Sequence, residues 1–209
     1  MTAIAVLISI VAAAASTVFV PRFVPNATWA IRLSTIPVAI AIAVLLSWAG
    51  MRMTSGSIAL AIGAGTTAAV LSTQTVIDLA VRRLPRPLSY GGLAVFAVSM
   101  AFVPSGRASG MSGLLVGMLV MTAITALLVV ASGGSLGMGD LHISPLLGAL
   151  VGWFAPSAIL VAWIAIAVAG ALVTSVGLLT RRISRESMIP YGPFMMIGSL
   201  ASVVWVAVR

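Results

Sequence analysis

The chain has 209 residues, 61% of them hydrophobic and only 7% charged, with a mean hydropathy of +1.24. Eleven bases and three acids are too few to cover a water-soluble globule of this size, so a soluble enzyme, a secreted disulfide module and a disordered tail are all excluded. Every base is arginine, the net charge is +8, and no basic stripe is interleaved with aromatic residues; the arginines therefore orient a membrane protein, and nucleic acid is not the partner. The composition predicts an all-α, polytopic transmembrane helix bundle. At ~20 apolar residues per crossing there is room for about seven or eight spans.

Apolar runs punctuated by Pro, Gly and Arg predict eight segments, near residues 2–20, 30–50, 57–80, 88–103, 110–131, 138–154, 156–179 and 189–208. The first has no basic residue before it and Arg22 after it, the reverse of a signal peptide, so it is read as a retained helix. The third ends on Asp78, ahead of Arg82, Arg83 and Arg86. In the fifth and sixth, Gly113/Gly117 and Gly148/Gly152 have the four-residue spacing that lets helices approach closely in lipid. Pro190, Gly192 and Pro193 are expected to break or kink the eighth, which places that element near the site. The whole chain, 1–209, reads as one integral membrane domain without an internal repeat.

Placing the Arg82–Arg86 loop in the cytoplasm puts eight arginines inside (22, 32, 82, 83, 86, 181, 182 and 185) and three outside (52, 107 and 209), the bias that the positive-inside rule requires. Both termini are then extracytoplasmic. With this orientation Asp78, at the end of the third segment, and Asp140, at the start of the sixth, reach the cytoplasmic edge of the bilayer together, although 62 positions separate them. An ionisable group in a membrane segment costs ~2.5–3.5 kcal/mol even on the insertion scale and is a functional hypothesis by default. Two carboxyls in one site titrate as a pair and suit peptide hydrolysis, one taking a proton from water and the other polarising the carbonyl. The single His142 and the absence of Cys leave no zinc pair and no thiol nucleophile, so no metal or cofactor is expected. The structural alternative is a pair of interhelical hydrogen bonds, or a helix cap by Asp140.

The sequence Asp78-Leu79-Ala80-Val81-Arg82-Arg83-Leu84-Pro85-Arg86-Pro87-Leu88-Ser89 resembles the first aspartate motif of the type IV prepilin peptidases. Gly137-Met138-Gly139-Asp140 resembles their second motif, Gly-x-Gly-Asp, shared more loosely with presenilin-type intramembrane aspartyl proteases. Ile189-Pro190-Tyr191-Gly192-Pro193-Phe194 is similar to the Pro-Tyr/Phe-Gly-Pro element of the family's last helix. The three occur in the family's order and the resemblance covers roughly residues 57–208. It implies an aspartic endopeptidase in the bacterial cytoplasmic membrane with Asp78 and Asp140 as its catalytic pair. Its substrates would be prepilin-like precursors, Flp or type IV pilins or pseudopilins, each with a basic leader ahead of an apolar helix. The cut would fall at the cytoplasmic face, and Gly137, Gly139, His142, Pro190, Gly192 and Pro193 would bind substrate or shape the site.

Two departures stand out. His142 occupies a position where family members often have Lys; a polar helix-end residue is the plainer reading. The paired Cys-x-x-Cys of a methyltransferase domain is absent from these residues, which puts methylation of the new N-terminus in doubt. Gly133, Gly134, Gly137 and Gly139 make the approach to Asp140 flexible, either as a connector or as backbone that pairs with an extended substrate. Glu186 reads as a solvated loop charge, with a role in receiving the basic leader as the alternative. Rival readings are a small proton-coupled transporter that uses the two aspartates as a relay, and a non-catalytic membrane scaffold.

Overall fold

The computed structural model describes residues 2–16, 20, 24, 34–104, 106–133, 137–181 and 190–209. Among these the chain forms α-helices and no strand: α1 (Thr2–Ser16), α2 (Thr35–Met53), α3 (Ile58–Val81), α4 (Arg86–Ala101), α5 (Gly110–Ala131), α6 (Met138–Phe154), α7 (Ala158–Leu179) and α8 (Gly192–Val208). Residues 17–19, 30–33 and 189, expected to be helical, lie outside the described residues, as do Arg22, Arg32, Gly134, Arg182, Arg185 and Glu186.

Local chemistry sets the helix ends. Ser57 opens α3 by accepting the Leu60 N–H at 3.1 Å, a side-chain N-cap. Arg82 closes α3 in the left-handed region (φ 54, ψ 43), its N–H donating to the Asp78 carbonyl at 2.8 Å. Pro85 is the extended N-cap of α4 and Pro87 sits in its first turn. Pro193 lies likewise in the first turn of α8. The break or kink expected inside the eighth segment is therefore corrected. A missing N–H costs nothing in a first turn, so Pro193 starts α8, and Pro190 and Tyr191 lie ahead of it.

Four helices, α2, α3, α5 and α7, are long and apolar enough to cross a bilayer. The other four have 15, 16, 17 and 17 residues and fall short of the ~20 of a full crossing. Eight expected segments are thus eight helices among the described residues, but half are shorter than a span. Glycine governs the closest packing. A Cβ on Gly113 would strike the Gly152 carbonyl oxygen, and one on Gly117 or Gly148 the other's carbonyl, so α5 and α6 touch backbone to backbone along the expected seam. Gly65 does the same for α3 against Ala5 of α1, and Gly198 for α8 against Ala162 and Ile166 of α7.

The arrangement that positions the site is a ring. α3 packs on α4 and on α8, and α6 packs on the same two, so the helices bearing Asp78 and Asp140 face each other across it. Leu71, Leu146, Leu147, Leu150 and Met195 are buried in the surrounding core. α5 and α7 turn Leu127, Leu172 and Leu179 outward. The described arginines sort to opposite ends. Arg52 Nε donates to the Ala207 carbonyl and the Arg107 N–H to the Met53 carbonyl, which gathers Arg52, Arg107 and Arg209 at one end. Arg82, Arg83 and Arg86 lie at the other, on the loop beside Asp78.

Candidate active site

Each carboxyl is presented by a different device. Asp78 lies in the last turn of α3, about two turns after Leu71, and is only 5% exposed. Asp140 lies in the first turn of α6 and is equally buried at 5%. Gly137 is the extended N-cap of α6, and its N–H reaches the Asp140 carboxyl while the Asp140 N–H donates to the Gly137 carbonyl at 3.1 Å. The N-cap of α6 is therefore Gly137 and not Asp140, so the cap role weighed for Asp140 is corrected: it stands three residues inside the helix, with its carboxyl turned back toward the Gly137 amide. One wall of Asp140 is fixed, and its remaining oxygen is left for other partners.

The three motif segments converge on these carboxyls. Gly192, the first residue of α8, lies so close that a Cβ there would stand 2.7 Å from Asp78 Oδ2 and 3.2 Å from Leu84 Cδ1. Gly139 packs on the same leucine: a Cβ there would be 3.1 Å from Leu84 Cβ. Leu84 is thus wedged between Gly139 of α6 and Gly192 of α8 and is itself only 7% exposed. The Gly192 amide is turned toward the Asp78 carboxyl, yet Oδ2 completes no hydrogen bond. Leu84 thus joins Gly139, next to Asp140, to Gly192, next to Asp78, so the two carboxyls lie at one site rather than on opposite faces of the bundle.

Tyr191, just ahead of α8, completes this wall. It is half-buried, with its ring 6.4 Å from that of Phe194. Pro190 and Pro193 flank it and hold the start of α8 at this level. His142 is half-buried on α6, its ring 5.9 Å from that of Tyr90 on α4 and within reach of the Arg86 charge. It lies at the margin of the cluster. Gly133 is left-handed (φ +59) with open space around it, a turn at the end of α5 away from the carboxyls.

Leu84 belongs to the first motif, but its packing between two glycines had no sequence signal. Two further contributors had no strong one. Gln74, one turn before Asp78, donates from Nε2 to Ser89 Oγ at 2.8 Å and ties α3 to α4. Ser144, one turn after Asp140, lies 2.6 Å from the Asp140 carbonyl and 2.8 Å from Thr125 Oγ1 of α5, fixing the start of α6 just ahead of Pro145. An intramembrane Gln was the one signal available for these. Among the described residues no group of three His, Cys, Asp or Glu side chains is placed to hold a metal ion. Comparison with protein-family models, with curated proteins and with solved structures returns no match for this chain.

Proposed function

We propose that this chain is an intramembrane aspartyl endopeptidase of the prepilin peptidase type. The observation that carries the reading is the convergence just described. Three separate motifs, far apart in sequence, meet at two buried carboxyls, and each supplies the residue that its place in the resemblance calls for: Asp78 with Leu84, Gly139 with Asp140, and Gly192. In an apolar chain with three acids, bringing two of them together at one site has a solvation cost that packing alone does not require.

The chemistry follows from a pair in which one carboxyl is ionised and the other protonated. The ionised group takes a proton from water as the water attacks the scissile carbonyl, and the protonated group gives its proton to that oxygen. Collapse of the tetrahedral intermediate releases the amine, which recovers a proton from the pair. Leu84 packs between the two glycines next to the carboxyls, so in this reading an extended peptide reaches them by displacing it. The substrate we favour is a pilin-like precursor, its apolar helix beside the bundle and its leader at the level of Asp78. All eight helices then serve as crossings, the short ones completed by their flanking loops. Both termini are extracytoplasmic, the site opens to the cytoplasm of a bacterial cell, and residues 57–208 form the catalytic core.

Asp78→Asn and Asp140→Asn should each abolish cleavage of a co-expressed pilin precursor, read as loss of the shortened band on a blot, with the variant still recovered folded from the membrane. Normal processing by either variant would remove the dyad and leave the transporter or scaffold readings.

A further inference from the structure

The end of the bundle away from the carboxyls carries charge that the candidate site does not use. Arg52, Arg107 and Arg209 gather there, the Arg107 N–H on the Met53 carbonyl, while the two described acidic side chains, Asp78 and Asp140, lie at the other end. Like charges brought together repel, and the low dielectric beside a membrane boundary strengthens that repulsion until an anion offsets it.

Two of the three arginines stand in the same local arrangement. α2 ends with Trp48, Met51 and Arg52, and α8 runs out through Trp205, Val208 and Arg209. Positions i, i+3 and i+4 share one face of a helix, so each helix presents an indole, an apolar side chain and a guanidinium together. α2 and α8 pack on each other, and Arg52 Nε donates to the Ala207 carbonyl at 3.4 Å, which sets the two triads side by side.

The contacts hold each guanidinium and leave its bonding edge open. Arg209 Cζ lies 3.8 Å from the centre of the Trp205 ring, a contact with the ring face that consumes none of its N–H groups. Arg52 Cζ lies 5.8 Å from the Trp48 ring. Its Nε is spent on Ala207, and its two terminal amino groups keep the paired fork that fits two oxygens of one phosphate. The surroundings narrow the source of that phosphate. Trp48, Met51 and Val208 are exposed and Trp205 is half-buried, so the arginines rise from an apolar rim of the kind that sits at headgroup level. A free anion gains nothing from that rim. An anion carried on hydrocarbon covers both parts.

We infer that the paired ends of α2 and α8 hold the headgroup of an anionic phospholipid. Arg52 and Arg209 take the phosphate oxygens, the acyl chains lie along Met51, Val208 and the two indoles, and the Arg107 charge disfavours headgroups that carry an ammonium. The lipid belongs to the leaflet opposite the one that Asp78 reaches. This assignment stands apart from the proteolytic reading.

The full chain, purified in an uncharged detergent, is melted with phosphatidylglycerol, phosphatidylcholine or inorganic phosphate added at one concentration. Phosphatidylglycerol should raise the midpoint by about 5 °C or more, phosphatidylcholine by less than about half of that, and inorganic phosphate not measurably. Replacing both arginines, Arg52→Gln with Arg209→Gln, should remove most of the phosphatidylglycerol shift. Arg83→Gln with Arg86→Gln, which takes the same charge from the other end, should keep it. The assignment is overturned by the absence of a phosphatidylglycerol shift, by a full shift in the Arg52/Arg209 variant, or by equal loss in both variants. Phosphatidylcholine acting as strongly shows a shell of ordinary lipid, and inorganic phosphate acting as strongly shows a site for a free anion; either result also overturns it. Should the Arg52/Arg209 variant not fold, a photoactivatable phosphatidylglycerol is crosslinked to the unmodified protein. Labelled peptides from the last turns of α2 or α8 support the site, and labelling confined to other segments overturns it.

Discussion

At the residue scale, the glycine at the head of α8 is the most exacting position. A methyl group on Gly192 would meet Asp78 Oδ2 at 2.7 Å, and the carboxyl, as the free end of a side chain, would swing aside. The fold therefore tolerates the change better than the chemistry does. Gly192→Ala should leave the melting temperature in detergent within a few degrees and slow precursor cleavage by about 100-fold, the scale of a ~1 Å misplacement. Gly91→Ala is the control: nothing lies within 4 Å of a Cβ there, and both readouts should be unchanged or slightly improved, by at most ~1 kcal/mol in stability. The same pair shows what the sequence could reveal about the site. The two aspartates stood out because acids are so scarce in this chain, and their motifs gave the neighbouring glycines. That Gly139 and Gly192 matter through Leu84 was hidden, because the contact joins three segments whose relative placement no local pattern encodes. His142 was conspicuous as the single histidine and stands beside Tyr90, at the edge.

At the element scale, the α5–α6 seam was legible to the residue, because helices that touch through backbone need small side chains at four-residue intervals and nothing else in those segments competes for that reading. Both helices also begin and end where the hydropathy pattern placed them. The ends of α2 and α8 were less legible. Arg52 lies within α2, in its last turn, since its side chain reaches the Ala207 carbonyl and needs no loop to do so. Proline near the start of α8 was read as an interruption because the sequence does not say on which side of a proline a helix lies. The seam yields a sharp expectation: Gly148→Val forces α5 from α6, because a Cβ already meets the Gly117 carbonyl and the Met121 side chain. It should lower stability by about 1–3 kcal/mol, the cost of overpacking, seen as a lower midpoint in detergent thermal unfolding. Gly170→Val, on the open face of α7, should shift the midpoint far less.

At the scale of the whole molecule, the separation of Arg52, Arg107 and Arg209 from Arg82, Arg83 and Arg86 is an orientation statement written in charge. The chain contains no cysteine, so single thiols report without background. Arg107→Cys should react with a membrane-impermeant maleimide on intact cells, and Arg83→Cys only after the cells are opened. Labelling in the reverse order would invert the assigned orientation and place the carboxyls outside. The ring of α3, α4, α6 and α8 also explains why a short chain with few polar residues can keep two carboxyls together without packing their helices directly on each other.

The wedged leucine has one more consequence. With both acids buried and this leucine packed between the glycines next to them, a peptidase of the proposed kind would ignore bystander proteins that drift past in the lipid. Discrimination would be exercised at the door, by whichever chain can displace one aliphatic side chain from between two glycines, and hydrolysis would merely follow admission.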